Sequence, residues 1–175
     1  ALAALFVAAR PVERALYPWV LVSQTLPAAA LAPLLTIWLG NGLAPRVAMA
    51  ALFAFFPVLV NTAQGLRQIS AEQLDLLRAW GATSAQVFRL LRVPAALPAL
   101  FAGLRIGSTL AVVGAIVGEL AGSSSGLGYV ISIATYHLQT DRVFAAVTLA
   151  AALSLCLYTL IVAVERRVVF WQPER

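Results

Sequence analysis

The chain has 175 residues, of which 62% are hydrophobic and 11% are charged, and its formal net charge is +5. Soluble domains carry about 25% charged residues, and a soluble protein of this size needs a polar exterior. The composition therefore excludes an ordinary soluble domain and indicates an integral membrane protein.

The chain begins with nine apolar residues, which are followed by Arg10. A membrane-spanning helix needs about 20 residues, and a signal peptide has a basic segment before its apolar run. The run fits neither. We therefore expect the end of a helix that begins upstream, and a single transmembrane domain over residues 1–175 that lacks its N-terminal helices.

Longer stretches with few or no charges follow, and each is long enough to span a bilayer. The predicted spans are 17–40, 44–66, 95–118 and 141–164. The first contains Pro18, Pro27 and Pro33, and proline removes a backbone donor. At membrane depth such breaks survive only against protein or a water-filled cavity. We expect a broken helix there, packed inside a bundle.

Arginines are concentrated in three segments, which predicts the orientation because cytoplasmic loops are rich in basic residues. The cytoplasmic groups are Arg10 and Arg14, then Arg67, Arg78, Arg89 and Arg92, then Arg166, Arg167 and Arg175. Only Arg46 and Arg142 lie on the opposite side. The chain is thus expected to be an all-α polytopic bundle, with about four full spans and a partial N-terminal one.

The segment 67–94 is expected to form two short helices on the cytoplasmic side. Ser70 to Gln73 and Thr83 to Gln86 each fit a capping box, and Gly81 separates the two helices. The second helix is expected to end near Pro94. The pattern leaves two interpretations open: an ordinary loop packed on the bundle, or a docking element inserted into the groove of a cytoplasmic partner.

This segment resembles the loop by which permease subunits of binding-protein-dependent ABC importers contact their ATPase. That loop reads roughly E-A-A, three residues, G, nine residues, I-x-L-P. The matching positions are Asp75-Leu76-Leu77, Gly81, Leu91, Val93 and Pro94, with Asp in place of Glu and two Leu in place of two Ala. Further similarity to the nitrate, sulfonate, taurine and thiamine-precursor branch covers SQTLPAAALAPLLTIWLGNG, FFPVLVNT, PAALPALFAGLRIG and VGELAGSSSGLGYVI.

The resemblance implies a permease of the type I ABC importer fold in a prokaryotic cell membrane. It implies three kinds of partner: a second permease subunit, ABC ATPase subunits that hydrolyse ATP, and an extracytoplasmic substrate-binding protein. No cofactor, no metal and no nucleic acid is expected for this chain. The implied ATPase-coupling residues are Asp75, Gly81, Ala82, Thr83, Ser84, Arg89, Leu91 and Pro94.

The implied cargo is a small nutrient similar to thiamine pyrimidine or riboflavin, or to sulfonate or nitrate. The chain itself performs no covalent chemistry under this interpretation. It contains no lysine and no G-x-x-x-x-G-K-[ST] sequence, so it offers no Walker A phosphate loop of its own. An ATP-driven function therefore requires a separate subunit.

Polar residues within the apolar spans are candidates for the translocation path or a gate: Asn61, Gln64, Arg105 and Glu119. Each has an alternative. Asn61 and Gln64 are equally suited to interhelical hydrogen bonds. Arg105 can extend to the interface, and Glu119 can mark a solvated helix end.

Two other functions remain open. Gly122 to Gly126 fits G-x-S-x-G around Ser124, and His137 follows, which would suit a membrane-embedded serine hydrolase. That motif requires a strand–turn–helix context, whereas a membrane helix is expected before it and a short helix over 127–137 after it. A secondary transporter driven by an ion gradient is the other alternative.

Overall fold

The computed structural model describes residue 3 and residues 10–171, and the regular elements in that part of the chain are helices. They are α1 (Arg10–Thr25), α2 (Ala28–Leu39), α3 (Leu43–Gly65), α4 (Ala71–Ala79), α5 (Ser84–Val87), a π-helical turn (Phe88–Arg92), α6 (Val93–Leu120), α7 (Leu127–Tyr136) and α8 (Thr140–Val168). The expected all-α membrane helix bundle is confirmed.

Within the described residues, three helical stretches are long and apolar enough to cross a membrane: Leu43–Gly65, Ser84–Leu120 and Thr140–Val168. They coincide with the spans predicted over 44–66, 95–118 and 141–164. The partial helix expected over 1–9, apart from Ala3, and the terminal Arg175 lie outside the described residues.

The break expected in the first apolar run is present. Helix α1 ends at Thr25, and α2 begins after Pro27, which occupies its N-cap position. Proline cannot donate the hydrogen bond that would continue α1, and a new helix starts there. Of the three prolines in this run, Pro27 alone coincides with a break, since Pro18 lies inside α1 and Pro33 inside α2. The two pieces have 16 and 12 residues, and each alone is shorter than the roughly 20 residues of a full span.

Helices α3 and α6 pack antiparallel along their length. The side of α6 that faces α3 carries four glycines: Gly103, Gly107, Gly114 and Gly118. A methyl group at any of them would lie within 3.2 Å of an α3 atom. Small residues allow helix backbones to approach closely in a membrane, and this close approach makes α3 and α6 the paired centre of the described structure.

The expectation that the second short helix ends near Pro94 is wrong. The backbone N–H of Val93 bonds the carbonyl of Phe88, five residues earlier, and α6 begins immediately at Val93. Proline fits the first turn of a helix, where its missing N–H is not required. The π-helical turn therefore lets one continuous helical stretch pass through Pro94 into the membrane span.

Candidate functional site

Residues 67–94, here called the hairpin, form a compact element at one end of α3 and α6. Ser70 is the N-cap of α4, and its hydroxyl accepts a hydrogen bond from the Gln73 N–H at 3.2 Å. This is one of the two bonds of the capping box expected there; the return bond from the Gln73 side chain to the Ser70 N–H is not formed. Asp75 and Arg78 form an exposed ion pair at 3.9 Å. Each residue of α4 keeps a share of its surface in contact with solvent, since the helix buries none of its side chains.

Gly81 ends α4 in a Schellman motif. Its N–H bonds the carbonyl of Arg78 at 2.9 Å, and the Ala82 N–H bonds the carbonyl of Leu77 at 3.0 Å. This pattern requires a left-handed residue after the helix, and Gly81 has φ of 75°. Glycine adopts that conformation without the steric cost of a Cβ atom.

Thr83 starts the next helix two residues after Gly81. Its hydroxyl accepts from the Gln86 N–H at 3.3 Å, while the Gln86 side-chain oxygen accepts from the Thr83 N–H at 2.8 Å. This is a complete capping box, as the sequence predicted. Because one helix-ending motif leads directly into one helix-starting motif, the turn between the helices is held by hydrogen bonds throughout.

The hairpin is attached to the bundle through its second half. Val87 is buried, and Phe88 packs against an apolar cluster that includes Leu59, Leu66 and Ala96. The π-helical turn then continues without interruption into α6. The hairpin is therefore joined to both helices of the central pair, by side-chain packing to α3 and by the backbone to α6.

Large apolar side chains are exposed on the outer surface of the hairpin. Trp80 is 79% exposed, Leu90 68% and Leu76 56%. The residues predicted for coupling divide between this surface and the bundle. Asp75, Gly81, Thr83, Ser84 and Arg89 are exposed, whereas Ala82, Leu91 and Pro94 are half-buried.

The polar residues predicted to line a path lie at different places. The Asn61 side chain donates to the carbonyl of Pro57 at 2.7 Å, one turn earlier in α3, and its Cβ faces Gly103 of α6. Gln64 is exposed. Asn61 thus lies between the paired helices, while Gln64 points to their outside.

Arg105 has an ionic partner that the sequence did not reveal. Its Nε lies 3.4 Å from the carboxylate of Glu165 on α8, and the two side chains are 32% and 18% exposed. An intramembrane charge is costly and is commonly paired with an opposite one. The available signal was Glu165 itself, an acidic residue at the edge of a long apolar run.

Glu119 lies at the opposite end of α6 in a second cluster. It faces Arg46 of α3 across 4.0 Å, and its carboxylate accepts a hydrogen bond from the Gly128 N–H at 2.7 Å. Arg46 also donates to the hydroxyl of Ser123. Arg46 and Ser123 were not among the candidate site residues predicted from the sequence. Both line a cavity of about 160 Å³ between α3 and the loop after α6.

Ser124 and His137, the residues of the hydrolase alternative, lack the required setting. A helix, not a strand, precedes the G-x-S-x-G stretch, whereas a nucleophile elbow needs a strand followed by a sharp turn. The expected short helix after it is present as Leu127–Tyr136, and His137 is its C-cap residue. The His137 ring is exposed and stands edge-on to Tyr136.

Comparison with known proteins gives consistent matches. The family described as "Binding-protein-dependent transport system inner membrane component" matches residues 1–170. The chain is 40% identical over 149 residues to a probable ABC transporter permease protein of Haemophilus influenzae, covering 85% of this chain and 61% of the relative.

Two relatives carry more specific names. A riboflavin transport system permease protein of Chloroflexus aurantiacus is 40% identical over 163 residues, covering 93% of this chain and 61% of the relative. A formylaminopyrimidine transport permease protein of Halalkalibacterium halodurans is 38% identical over 164 residues, covering 94% and 66%. The chain thus spans between 61% and 66% of the length of these three relatives.

These relatives are named as transport permeases and not as enzymes, which argues against the hydrolase alternative. The family match covers almost the whole chain, and the described helices include three with the length and composition of membrane spans. The chain belongs to the family of inner membrane components of binding-protein-dependent transport systems.

Proposed function

We propose that this chain is the part of an ATP-driven importer's permease that forms the translocation path and receives the motion of a separate ATPase. A second permease subunit completes the path, and an extracytoplasmic binding protein delivers the cargo. The observation that carries this proposal is the hairpin, since a hydrogen-bonded and firmly attached element exposes Trp80, Leu76 and Leu90.

The hairpin has the properties that transmission of motion requires. A switching element needs discrete positions rather than continuous deformation. The Schellman motif at Gly81 and the capping box at Thr83 hold the turn rigid. The packing of Phe88 and the continuous helix into α6 pass any displacement to the central helix pair.

The surface of the hairpin suits a protein partner on the cytoplasmic side. Exposed aromatic and aliphatic side chains next to arginines are typical of an interface core with a charged rim. Arg89 is exposed beside Leu90, and it is placed to contact acidic or carbonyl groups of an ATPase. The chain has no lysine, so a Walker A loop must come from that partner.

For the cargo, we propose a heterocyclic nutrient of the riboflavin or thiamine-pyrimidine class. The supporting observation is the higher identity to the permeases named for riboflavin and formylaminopyrimidine, 40% and 38%, than to an aliphatic sulfonate permease of Bacillus subtilis, 33%. Sulfonate is the second candidate. Uptake of labelled riboflavin, formylaminopyrimidine and an alkanesulfonate by cells with and without the full gene distinguishes them.

The path residues fall into two groups under this proposal. Asn61 and Gln64 are uncharged and lie about one turn apart on α3. Asn61 packs between α3 and α6 with its amide bonded to the Pro57 carbonyl, whereas Gln64 is exposed and is the one of the two that is free to contact a neutral ring system. Arg105 and Glu119 each face an opposite charge within this chain. Their charges are thereby balanced, which favours gating or structural roles over direct contact with cargo.

The coupling role is tested by Gly81→Val, with Gly40→Val as its matched control. Both glycines have a positive φ, 75° and 78°, and open space around the missing Cβ. Valine therefore introduces backbone strain at both positions, which lie at opposite ends of the bundle. In the full permease with its ATPase, Gly81→Val is expected to abolish uptake and weaken ATPase co-purification, while Gly40→Val retains the ATPase.

Normal ATP-coupled uptake by Gly81→Val would contradict the coupling role of the hairpin. A wild-type permease that co-purifies with no ATPase, or that imports its cargo on an ion gradient without ATP, would contradict the proposed function as a whole and favour a secondary transporter.

A further inference from the structure

The N-terminus of α7 lacks a cap from its own sequence. Its N-cap residue is Gly126, which has no side chain and forms no capping hydrogen bond. The first N–H groups of a helix have no partner within the helix, and a side-chain oxygen normally accepts from the second or third of them. At α7 the second of these donors belongs to Gly128.

Glu119 supplies the missing cap from α6. Its carboxylate accepts from the Gly128 N–H at 2.7 Å, and a carboxylate at a helix N-terminus is also favoured by the helix dipole. The local backbone is shaped around this side chain. A Cβ atom at Gly126 would overlap the Glu119 carboxyl group, and one at Gly128 would meet the Glu119 Cβ.

Arg46 extends this contact to α3. Its guanidinium faces the Glu119 carboxylate and donates to the hydroxyl of Ser123, which in turn donates to the carbonyl of Ser125. The two charged side chains are 20% and 15% exposed. One connected set of polar contacts therefore joins α3, α6, the loop 121–126 and the start of α7.

We propose that Glu119 is a positioning residue that anchors α7 and the loop 121–126 to the central pair α3 and α6. This inference rests on the proposed function. The anchor makes the face formed by residues 121–137 move together with α3 and α6. Contact of a binding protein with this face is then transmitted to the helices that also carry the hairpin. Glu119 acts through this anchor and not by touching cargo.

The anchor is tested first by hydrogen exchange of the full-length permease in lipid nanodiscs. Exchange of the amides in 127–137 is expected to become roughly three- to thirtyfold faster in Glu119→Ala, as loss of a helix cap predicts. Glu119→Gln keeps an acceptor oxygen for the Gly128 N–H but leaves Arg46 without its opposite charge. Its exchange is therefore expected to lie between those of wild type and Glu119→Ala. Glu165→Ala removes an interhelical carboxylate of similar burial and controls for general destabilisation.

Unchanged exchange in Glu119→Ala, or equally fast exchange in Glu119→Ala and Glu119→Gln, would overturn the capping role. So would equal acceleration of 127–137 in Glu165→Ala. This measurement needs neither an ATPase nor a binding protein, so its failure counts against the anchor alone.

The transmission of binding-protein contact is tested in the reconstituted importer. For each variant, the stimulation is the rate of ATP hydrolysis with binding protein divided by the rate without it. It is measured as a function of binding-protein concentration. Glu119→Ala is expected to require a several-fold higher concentration for half-maximal stimulation, and Glu119→Gln is expected to recover part of that loss. Identical curves would overturn the inference, whereas no stimulation in wild type would count against the proposed function instead.

Discussion

At the residue scale, single atoms decide how closely α3 and α6 approach. The position where a Cβ of residue 114 would lie is 2.7 Å from the carbonyl oxygen of Met49, a residue with no exposed surface. That oxygen belongs to the α3 backbone and cannot move aside without bending the helix. The close approach of α3 and α6 at this position therefore requires glycine.

Gly114→Ala is expected to lower the free energy of unfolding by about 1–3 kcal/mol, because an added methyl group overpacks the helix interface. Gly42→Ala is the matched control, since its Cβ would meet nothing within 4 Å and its backbone is extended. Thermal unfolding in detergent, followed by tryptophan fluorescence, measures both. Equal stability of the two variants would contradict the close packing at residue 114.

Arg105 and Glu165 make a second prediction at this scale. Each neutral substitution, Arg105→Met or Glu165→Gln, leaves one charge without its partner in the membrane. The double variant removes both charges, so its loss of stability is expected to be smaller than the sum of the single losses. A coupling free energy of roughly 0.5–3 kcal/mol is expected from the double-mutant cycle, and additive losses would show that the pair does not interact.

At the element scale, the rigidity of the hairpin depends on its caps. Thr83→Ala removes the hydroxyl that accepts from the Gln86 N–H and is expected to cost about 1 kcal/mol of local stability. Faster hydrogen exchange across 84–88 and a smaller ratio of transport to ATP hydrolysis are the measurements. Ser84→Ala, which alters the neighbouring exposed hydroxyl but not the cap, is the control for hydrogen exchange and should leave the exchange across 84–88 unchanged.

Local sequence patterns predicted the hairpin well. Ser70, Gly81 and Thr83 act within a few residues of themselves, so their caps are visible in the sequence. Pro94 was misjudged because the rule that proline ends a helix assumes regular α-helical hydrogen bonding. In the π-helical turn before it, the Val93 N–H bonds the carbonyl of Phe88. Pro94 therefore lies in the first turn of α6, where its missing N–H is not required, and the helix continues.

At the scale of the whole molecule, the hairpin and the loop 121–126 lie at opposite ends of α6 and are expected on opposite sides of the membrane. Single cysteines introduced by Ser84→Cys and Ser124→Cys, both at exposed positions, in a background carrying Cys156→Ser test this. An impermeant maleimide should label residue 124 in intact cells or spheroplasts, and residue 84 only after the membrane is opened. Labelling of both from outside would invalidate the cytoplasmic hairpin.

The contacts that tie the whole molecule together were beyond sequence reasoning. Arg46 and Ser123 are 77 positions apart, and Glu119 was seen only as a polar residue near a helix end. Arg105 was recognised as a charge in an apolar run, but its partner on α8 was not. A single sequence carries no information on which distant residues meet, because that depends on how the helices pack.

The sequence by itself determined the membrane class, the three long spans, the presence of a break in the proline-containing first run and the capped turn at Gly81. All of these follow from hydrophobicity, length and hydrogen bonding within a few residues. The tertiary structure alone decided the antiparallel pairing of α3 with α6 and the partners of Arg105 and Glu119. Those outcomes depend on close approach of distant backbones, where a missing Cβ or an opposite charge acts only once the helices have met.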